Sequence, residues 1–432
     1  MFKFLNIFHF FLIITTSVTA LYGEDYWLRQ NSPTGKTLYK CFFADSIYGW
    51  ASGDSGIIIH TSNAGANWSI QQSGITDYKI EELFFLNRRL GWAISNNYQF
   101  TGTNILITTN GGFNWINSLF PDPDLVFNTI FFLDSLSGFI SGQSGVIYRT
   151  TNGGADWLRC GIDSTECPHL LPKQDLFFIN SSTGFSCGGA IDYTGVVWKT
   201  INGGLNWAPF CLTPEPLNVI KQIGINKIVL MGGDFDFGAN VVYSANNGIS
   251  WNYELTGCFG YVTGFSLRTP AECWAVLGAA QLMAVNLDSI KPGTSWQCLP
   301  SPESEELYDI EFTSPTFGWA FGSRGSIFKY NSAIIGINGN HNNIPLAIRL
   351  YQNYPNPFNP VTIINYELRV TGYVKLVIYD AKGKEISSLI NKEQSPGNYL
   401  MEWDGTNFPS GIYFCRMTAG SFSRTVKMVL LK

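Results

Sequence analysis

The chain has 432 residues, a formal net charge of −5, 15% aromatic residues and only 14% charged residues. This length is sufficient for two domains with large hydrophobic cores. The mildly acidic balance and the lack of any basic cluster argue against binding to nucleic acid or to an anionic membrane surface.

The amino terminus has the three parts of a secretory signal peptide. Lys3 is followed by the apolar run Phe4 to Ile14 and by the small-residue end Val18-Thr19-Ala20,. The run is too short and too polar to cross a bilayer, and no other stretch has the required length. We therefore predict that residues 1–20 are removed on export and that the mature chain has no transmembrane segment. A buried N-terminal strand is the alternative.

One short sequence motif recurs along most of the chain. It reads Thr151-Asn152-Gly153-Gly154-Ala155-Asp156-Trp157, and related copies end at Trp68, Trp115, Trp207 and Trp251, at intervals of 42 to 50 residues. Asn tolerates a left-handed backbone conformation and Gly adopts positive φ without steric cost, so the motif predicts a hairpin corner. The Trp then opens the next strand and buries a large ring. A period in the forties made of strands and turns is typical of propeller blades.

Two further copies have degenerate corners. One runs from Phe265 to Trp296, and the other runs from Ile310 to Asn331, where it stops without a Trp. A Trp-led strand without a preceding blade is found at Tyr26 to Gln30. We therefore predict an all-β fold in which residues 21–331 form a seven-bladed propeller. The N-terminal strand completes the last blade and removes the two open edges.

The motif at these corners resembles the Asp box of the bacterial neuraminidase repeat. The longer pattern of Gly-Trp-Ala-x-Gly, Gly-x-Ile and Thr-x-Asn-Gly-Gly-x-x-Trp is similar to the propellers related to photosystem II assembly factors. The resemblance covers roughly Tyr26 to Asn331. In such families the box lies at a blade corner away from the binding face, which implies a turn-making role for Asn63, Asn110, Asn152 and Asn202.

We expect function on the face opposite the boxes, where the loops between second and third strands emerge. Three of these loops are predicted to be long: Ser95 to Thr103, Gly188 to Thr194, and Gly232 to Gly238. Together with one turn arginine they supply the candidate ligand-binding residues, which mix aromatic and charged side chains: Tyr98, Phe100, Asp192, Tyr193, Asp234, Asp236 and Arg324. Solvated loops without a role are the alternative.

The sequence does not favour an enzyme. Neuraminidase-like hydrolysis requires converging arginines, a Tyr-Glu pair and an Asp acid, yet only Arg324 falls in a predicted turn on the functional face. The histidines available to a Ser or Cys nucleophile are His60, His169 and His341,. We predict no catalytic residue, no cofactor and no metal site. A neuraminidase-like glycoside hydrolase or lyase is one alternative, and an assembly or folding helper like the photosystem factors is another.

Nine cysteines fit an oxidising compartment, but their number is odd and no Cys-x-x-Cys spacing occurs,. Cys160 and Cys167 lie close in sequence and are predicted to form a disulfide. Cys41 is expected to be a small buried residue on a strand. The sequence does not pair the others in the first domain: Cys187, Cys211, Cys258, Cys273 and Cys298.

Beyond Asn331 the composition changes. Residues 332–346 are rich in Gly and Asn and predict a linker between domains,. The prolines within Asn353 to Pro360 then fix an extended backbone, and short alternating strands follow as far as Leu430. Six or seven strands in about 80 residues predict a small immunoglobulin-like sandwich over residues 347–432,.

This tail closely resembles the C-terminal sorting domain of proteins exported by the type IX (Por) secretion system. The matching segments are Asn353-Tyr354-Pro355-Asn356-Pro357-Phe358-Asn359-Pro360, Tyr379-Asp380 with Gly383, Trp403-Asp404-Gly405, Pro409-Ser410-Gly411-Ile412-Tyr413, and Lys427-Met428-Val429 with Lys432. The resemblance implies Sec export to the periplasm, recognition of the tail by the outer-membrane translocon, and release or attachment at the cell surface. An accessory sandwich domain is the alternative. We therefore predict an exported, non-enzymatic propeller that binds a glycan, a peptide or a surface protein.

Overall fold

The chain folds into two units made of β-strands. This computed structural model describes residues 26–97, 102–143, 145–163, 167, 170–286, 290, 291, 293, 295–332, 349–353, 355–368, 372–394, 397–420 and 422–431. The two compact units are Met1–Ser332 and Ala333–Lys432. Besides strands, the described residues form three 3₁₀ turns, Asp54–Gly56, Pro302–Ser304 and Ser323–Gly325. The all-β prediction is confirmed. The predicted signal peptide and nearly all of the predicted linker lie outside the described residues.

In the described part of the first unit, the strands form seven sheets. The chain enters with β1 (Trp27–Arg29). The first sheet contains β2 (Leu38–Phe43), β3 (Gly49–Gly53), β4 (Ile58–Thr61) and β5 (Ser69–Gln71). The second contains β6 (Tyr78–Phe85), β7 (Gly91–Asn97), β8 (Thr103–Thr108) and β9 (Ile116–Leu119). The third contains β10 (Phe127–Phe132), β11 (Gly138–Gly142), β12 (Ile147–Thr150) and β13 (Leu158–Arg159).

The remaining sheets repeat this antiparallel order. The fourth contains β15 (Lys173–Phe178), β16 (Gly184–Ala190), β17 (Thr194–Thr200) and β18 (Asn206–Thr213), and β14 (Gly161–Ile162) adds a parallel strand beside β18. The fifth contains β19 (Leu217–Gln222), β20 (Ile228–Asp234), β21 (Gly238–Ser244) and β22 (Asn252–Leu255). The sixth contains β23 (Tyr261–Thr269), β24 (Glu272–Gly278), β25 (Leu282–Asn286) and β26 (Gln297–Pro300).

The seventh sheet joins the two ends of the unit. It contains β27 (Leu307–Ser314), β28 (Phe317–Gly322) and β29 (Ile327–Tyr330), and its fourth strand is β1. Trp27 lies opposite Tyr330 in the β1–β29 register. The buried ring of Trp27 also packs edge-on against Trp274 of the sixth sheet at 5.7 Å. The N-terminal strand is therefore held by hydrogen bonds and by a buried aromatic side chain.

The seven first strands lie side by side in a closed circuit. Contacts run from β2 to β6, β10, β15, β19, β23 and β27, and from β27 back to β2. Stacked rings fill the space between neighbouring sheets. Trp50 of β3 stacks on Phe85 of β6 at 3.7 Å, and Trp92 of β7 stacks on Phe132 of β10 at 3.6 Å.

The hairpin corners share one hydrogen-bond pattern. In the first corner, Thr61 Oγ1 accepts from the N–H of Gly65 at 3.0 Å, and Asn63 Oδ1 accepts from the N–H of Asn67 at 2.9 Å. The same two bonds recur in four further corners, at Thr108 with Asn110, Thr150 with Asn152, Thr200 with Asn202, and Ser244 with Asn246. The asparagine side chains thus bind the backbone of their own turns.

The corner tryptophans are not equally buried. Trp207 and Trp68 are 1% and 8% exposed, whereas Trp115 and Trp157 are half-buried. The prediction that every corner Trp buries its ring therefore holds fully only for some copies.

Two disulfides are present, Cys167–Cys211 and Cys258–Cys298. The predicted Cys160–Cys167 bond is wrong, because Cys160 is a free, buried thiol. The parallel pairing of β14 with β18 brings the segment after β14 alongside the strand that carries Cys211. The partner of Cys167 is therefore decided by strand pairing and not by distance along the sequence.

The second unit contains two sheets with a common core. One sheet has the order β30 (Arg349–Leu350), β31 (Val361–Leu368) and β34 (Gly397–Asp404). The other has the order β33 (Glu385–Gln394), β32 (Gly372–Asp380), β35 (Gly411–Ala419) and β36 (Phe422–Leu430). Tyr366 of the first sheet and Met417 of the second are buried in the same apolar cluster.

Candidate functional site

A cavity of about 490 Å³ lies where the seven first strands meet. Its volume is in the range of small-ligand sites. Every one of the seven sheets contributes to its lining, which consists of Tyr39, Lys40, Lys79, Glu81, Asn96, Asn128, Gln143, Gln174, Asn218, Tyr261, Thr263 and Tyr308. We call it the central cavity.

A β-bulge in each first strand shapes this lining. Near the start of every first strand, the pairing with the second strand skips one residue, and these skipped residues are Tyr39, Glu81, Asn128, Gln174, Asn218, Thr263 and Tyr308. All seven line the central cavity, and we call them the bulge ring. A bulge leaves a residue unpaired and redirects its side chain. The seven bulges therefore direct one side chain per sheet into one space.

The charges of the lining are compensated at short range. Lys79 Nζ lies 2.8 Å from Glu81 Oε2 and 4.0 Å from the centre of the Tyr39 ring. Lys40 Nζ lies 3.4 Å from Glu82 Oε2, just beneath the bulge ring. Both lysines of the lining are therefore already paired with carboxylates.

Carboxylates beneath the bulge ring connect neighbouring sheets. Asp175 Oδ2 accepts from the N–H of Ile220 at 3.0 Å. Burial raises the pKa of Asp175. Burial also raises the pKa of Glu82 to about 7, although Lys40 opposes this shift. These groups connect sheets and are not free to act on a ligand.

The thiol of Cys41 is a poor nucleophile. It lies half-buried on β2, so the prediction of a small buried residue on a strand is correct for the strand and only partly correct for the burial. Burial, followed by the nearby carboxylates of Asp309 and Glu311, raises its pKa well above the ordinary value. A thiol that stays protonated lacks the reactivity of a thiolate.

Amide side chains of the bulge ring are held in fixed orientations. Asn128 Nδ2 donates to the carbonyl of Lys173 at 2.9 Å and to Gln174 Oε1 at 3.0 Å. Asn218 Nδ2 donates to the carbonyl of Val262 at 3.0 Å. Among the described residues, Asn218 Oδ1 and Gln174 Nε2 have no hydrogen-bond partner, so one acceptor and one donor remain available,.

Aromatic side chains extend from the cavity onto the surface. The rings of Tyr39 and Tyr308 lie 4.9 Å apart. Tyr261 contacts Phe235 at 5.2 Å, and Phe235 contacts Phe259 at 5.4 Å. Phe259 is 56% exposed and Phe235 is 45% exposed. We call these five rings the aromatic arc.

The site residues predicted from the sequence do not line the central cavity. Tyr98 and Phe100 lie outside the described residues, as does His169. Asp192 and Tyr193 are exposed in the turn between β16 and β17. Asp236 is exposed in the turn between β20 and β21, where Asp234 Oδ1 accepts its N–H at 3.0 Å.

Two of the predicted long loops are short. β16 extends to Ala190 and β20 extends to Asp234, so each turn has only three residues. A Cβ atom at Gly188 would lie 1.9 Å from the carbonyl oxygen of Pro172, and one at Gly232 would lie 2.1 Å from that of Pro216. These glycines allow close approach of the first strand and do not mark loops. Asp234 is buried and therefore not available to a ligand.

Arg324 lies in a separate, smaller cavity of about 240 Å³. Its Nη2 is 2.9 Å from Glu305 Oε1, a carboxylate that Arg29 also contacts at 2.9 Å. Burial would raise the pKa of Glu305, but hydrogen bonds from Arg324 and Ser323 lower it below the ordinary value. The Arg324 side chain is nevertheless 75% exposed, so this ion pair lies at the surface.

The bulge ring was missed because no single residue type marks it. In the sheets that begin at Leu38, Phe127, Lys173, Leu217 and Leu307, that first residue pairs with a glycine near the end of the second strand, and the next residue is the bulge. The signal in the sequence is a polar or aromatic residue at that second position.

In the second unit, two distant segments bind each other. Asn356 Oδ1 accepts from the N–H of Val429 at 2.8 Å, and its Nδ2 donates to the carbonyl of Lys427 at 3.1 Å. Phe358 exchanges backbone hydrogen bonds with Val429 and Leu431 at 2.9 Å. The proline-rich segment is therefore fixed on the last strand.

Residues 352–431 match the family described as secretion system C-terminal sorting domain. The tail is a sorting domain. It supports export by the type IX system to the cell surface or medium, as the resemblance implied. The asparagine and proline segment of this sorting domain is the part that contacts its last strand.

The first unit is similar to solved β-propellers. YCF48 bound to D1 peptide is 21% identical, with 71% of this chain and 97% of that chain covered and a TM-score of 0.56. YCF48 from Cyanidioschyzon merolae is 18% identical, with 71% and 99% covered and a TM-score of 0.56. The GH74 xyloglucanase from Xanthomonas campestris is 10% identical, with 93% and 67% covered and a TM-score of 0.54. At these identities the likeness is one of fold, a β-propeller.

The search of curated proteins found no match. Within the part of the chain that the structure describes, no helix has the length and apolarity needed to cross a membrane.

Proposed function

We propose that this protein is an exported, non-enzymatic binding protein that takes a glycan, a peptide or a surface protein into its central cavity. The observation that carries the proposal is the bulge ring, because seven separate strands each redirect one side chain into the same space. β-Bulges are frequent next to functional sites, and a pocket with convergent polar groups is the first place to expect a ligand.

The proposed architecture has four parts. Residues 1–20 are a signal peptide, residues 21–331 are a seven-bladed propeller closed by the N-terminal strand, residues 332–346 are a linker, and residues 347–432 are an immunoglobulin-like sorting domain. The closed circuit of first strands and the pairing of Trp27 with Tyr330 support the ring. The type IX translocon is the partner of the tail, and it delivers the propeller to the cell surface or medium.

The lining supports binding without chemistry. Among the described residues it contains no Arg, His, Cys or Ser, and its one carboxylate, Glu81, is paired with Lys79. Hydrolysis by a neuraminidase-like route would require converging arginines and a free acid. The structure of YCF48 with a D1 peptide is an instance of a propeller of this fold with a bound ligand.

The exposed turns around the same face are proposed as outer contacts. Asp192, Tyr193 and Asp236 lie between second and third strands, at the edge where the first strands begin. Arg324 lies in the equivalent turn of the seventh sheet. A ligand larger than the cavity would reach these side chains.

Two variants of the full-length protein test separately what the cavity and the exposed turns contribute to binding. Purified protein would be exposed to a glycan array and to solubilised cell-envelope proteins. We expect Asn128→Ala with Asn218→Ala to abolish capture, because the two amides are in the bulge ring. Asp192→Ala with Tyr193→Ala should retain most of it. Equal capture by the wild type and by the cavity variant would contradict the proposed site.

A further inference from the structure

The central cavity is suited to an uncharged ligand. Lys79 is paired with Glu81 at 2.8 Å, and Lys40 is paired with Glu82 at 3.4 Å and also lies near Asp175 and Asp309. A phosphate, sulfate or carboxylate entering this space would have to break an existing ion pair to find a cation. A cationic ligand would meet the same obstacle. Desolvation of a charged ligand without a partner is costly, so the electrostatics select a neutral one.

The aromatic arc provides flat apolar faces at the mouth of this space. Tyr39 and Tyr308 pack together at 4.9 Å inside the lining, and the exposed Phe259 continues the arc outward through Phe235 and Tyr261. Burial raises the pKa of Tyr261 and Tyr308, so both hydroxyls stay protonated and uncharged; the Tyr308 hydroxyl donates to Glu306 Oε2 at 2.9 Å and can still accept a hydrogen bond,. An aromatic ring with a polar tip can stack on the C–H face of a sugar ring and hydrogen-bond to its hydroxyls.

The amides of the bulge ring supply the complementary polar groups. Asn218 and Gln174 each use one end of the side chain to bind protein and leave the other end available. A donor and an acceptor in fixed positions can recognise vicinal hydroxyl groups, each of which both donates and accepts. Because the protein bonds fix the amides in advance, little conformational entropy is lost when a ligand binds.

A peptide in extended form fits this cavity less well. Such peptides are commonly bound by adding a strand to a regular sheet edge. Here each first strand has a bulge at the cavity, which interrupts the ladder where a peptide would pair,. Side-chain recognition is left as the main source of binding energy.

We infer that the ligand of the central cavity is a neutral saccharide chain. One unit enters the bulge ring, and the following units stack along the aromatic arc toward Phe259. This inference rests on the proposed binding function and names its ligand class.

Affinity electrophoresis of the full-length protein tests the inference. Native gels would contain one of three neutral polysaccharides (galactomannan, arabinoxylan or mixed-linkage β-glucan) or one of two anionic ones (polygalacturonate or heparin). We expect retardation in at least one neutral gel, unchanged by about 0.5 M NaCl, because a neutral ligand forms no ion pair that salt could screen. Tyr308→Ala and Phe259→Ala should each weaken the apparent affinity by about tenfold.

Matched controls exclude a loss of folding. Tyr308→Phe retains the ring and should bind within about threefold of the wild type. Phe113→Ala removes an exposed aromatic side chain at a hairpin corner that does not line the cavity, and it should bind normally. Near-ultraviolet circular dichroism would verify the fold of each variant.

Two results would overturn the inference. One is retardation by the anionic polysaccharides alone, removed by salt. The other is the absence of retardation in every neutral gel. If the same protein then captured an envelope protein through Asn128 and Asn218, the binding function would stand and only its ligand class would be wrong. If it captured nothing, the proposed function would fail as well.

Discussion

Asp309 Oδ2 accepts a hydrogen bond from the backbone N–H of Cys41 at 2.8 Å, although 268 residues separate the two. Asp309 lies on β27 of the seventh sheet, and Cys41 lies on β2 of the first. Its other oxygen accepts the N–H of Ile310 at 2.9 Å. One carboxylate thus binds the last sheet to the first, as Asp175 binds the fourth sheet to the fifth through Ile220.

Replacement of this carboxylate should destabilise the first unit. We expect Asp309→Ala to lower the free energy of unfolding by about 1–3 kcal/mol, because the N–H groups of Cys41 and Ile310 both lose their acceptor,. Urea unfolding followed by tryptophan fluorescence measures the change. Asp122→Ala, at an exposed turn, should stay within about 0.5 kcal/mol of the wild type,. Identical midpoints for Asp309→Ala and the wild type would contradict the assignment.

The corner tryptophans should differ in their contribution to stability. Trp207→Ala should cost about 3–5 kcal/mol, since this ring is fully buried and its Nε1 donates to the carbonyl of Gly204 at 3.1 Å,. Trp157→Ala should cost less, because Trp157 is half-buried. The same unfolding experiment compares the two. A larger loss for Trp157→Ala would show that burial does not rank these corners.

Lys173 should make stability depend on pH. Its side chain is fully buried, donates to the carbonyl of Gly145 at 2.7 Å, and lies 3.8 Å from the centre of a Trp198 ring. Burial lowers its pKa from 10.5 to about 7. Between these two values the unfolded chain holds a proton that the folded chain has released. The free energy of unfolding therefore rises with pH across this window, by up to about 1.4 kcal/mol per pH unit.

Lys173→Met removes this titration and isolates its effect. The wild type should gain stability relative to the variant as the pH rises from about 7 toward 10. Urea midpoints at several pH values measure the difference. A difference that does not change with pH would mean that Lys173 is uncharged, or charged, over the whole range.

The cysteines provide a direct test of the strand pairing. Non-reducing peptide mapping should join Cys167 to Cys211 and Cys258 to Cys298. The five remaining thiols should react with a thiol reagent only slowly in the folded protein, because burial raises their pKa, and completely in denaturant: Cys41, Cys160, Cys187, Cys273 and Cys415. A peptide that joins Cys160 to Cys167 would refute the arrangement.

The sorting domain should be necessary for passage of the outer membrane. Deletion of residues 350–432 should leave the protein in the periplasm, and Asn356→Ala should reduce surface or medium levels because it removes two hydrogen bonds between the proline-rich segment and the last strand. Tyr373→Ala, at a side chain that is 60% exposed, is the matched control and should be exported normally. Cell fractionation and immunoblotting measure the distribution. Unchanged surface display of the deletion would disprove the sorting role.

Much of the fold was readable from the sequence because the relevant forces are local. The Thr–Asn–Gly corners are held by bonds between residues two to four positions apart, such as Thr61 with Gly65 and Asn63 with Asn67. A short sequence motif therefore determines its own turn wherever it occurs. The sorting tail could be predicted from the sequence for a related reason, since its motifs occur in a fixed order within one short segment.

Only the tertiary structure decided where a ligand could bind. A bulge is a property of two paired strands. The sequence of one strand alone therefore does not indicate that Tyr39 or Asn218 lines the central cavity,. The glycines at 188 and 232 suggested loops, but they allow strands to approach, and only the neighbouring backbone shows this. The partner of Cys167 likewise depends on a parallel pairing formed far along the chain. Register, close approach and cavity shape arise from contacts between distant segments, and the amino-acid sequence encodes them only through the fold as a whole.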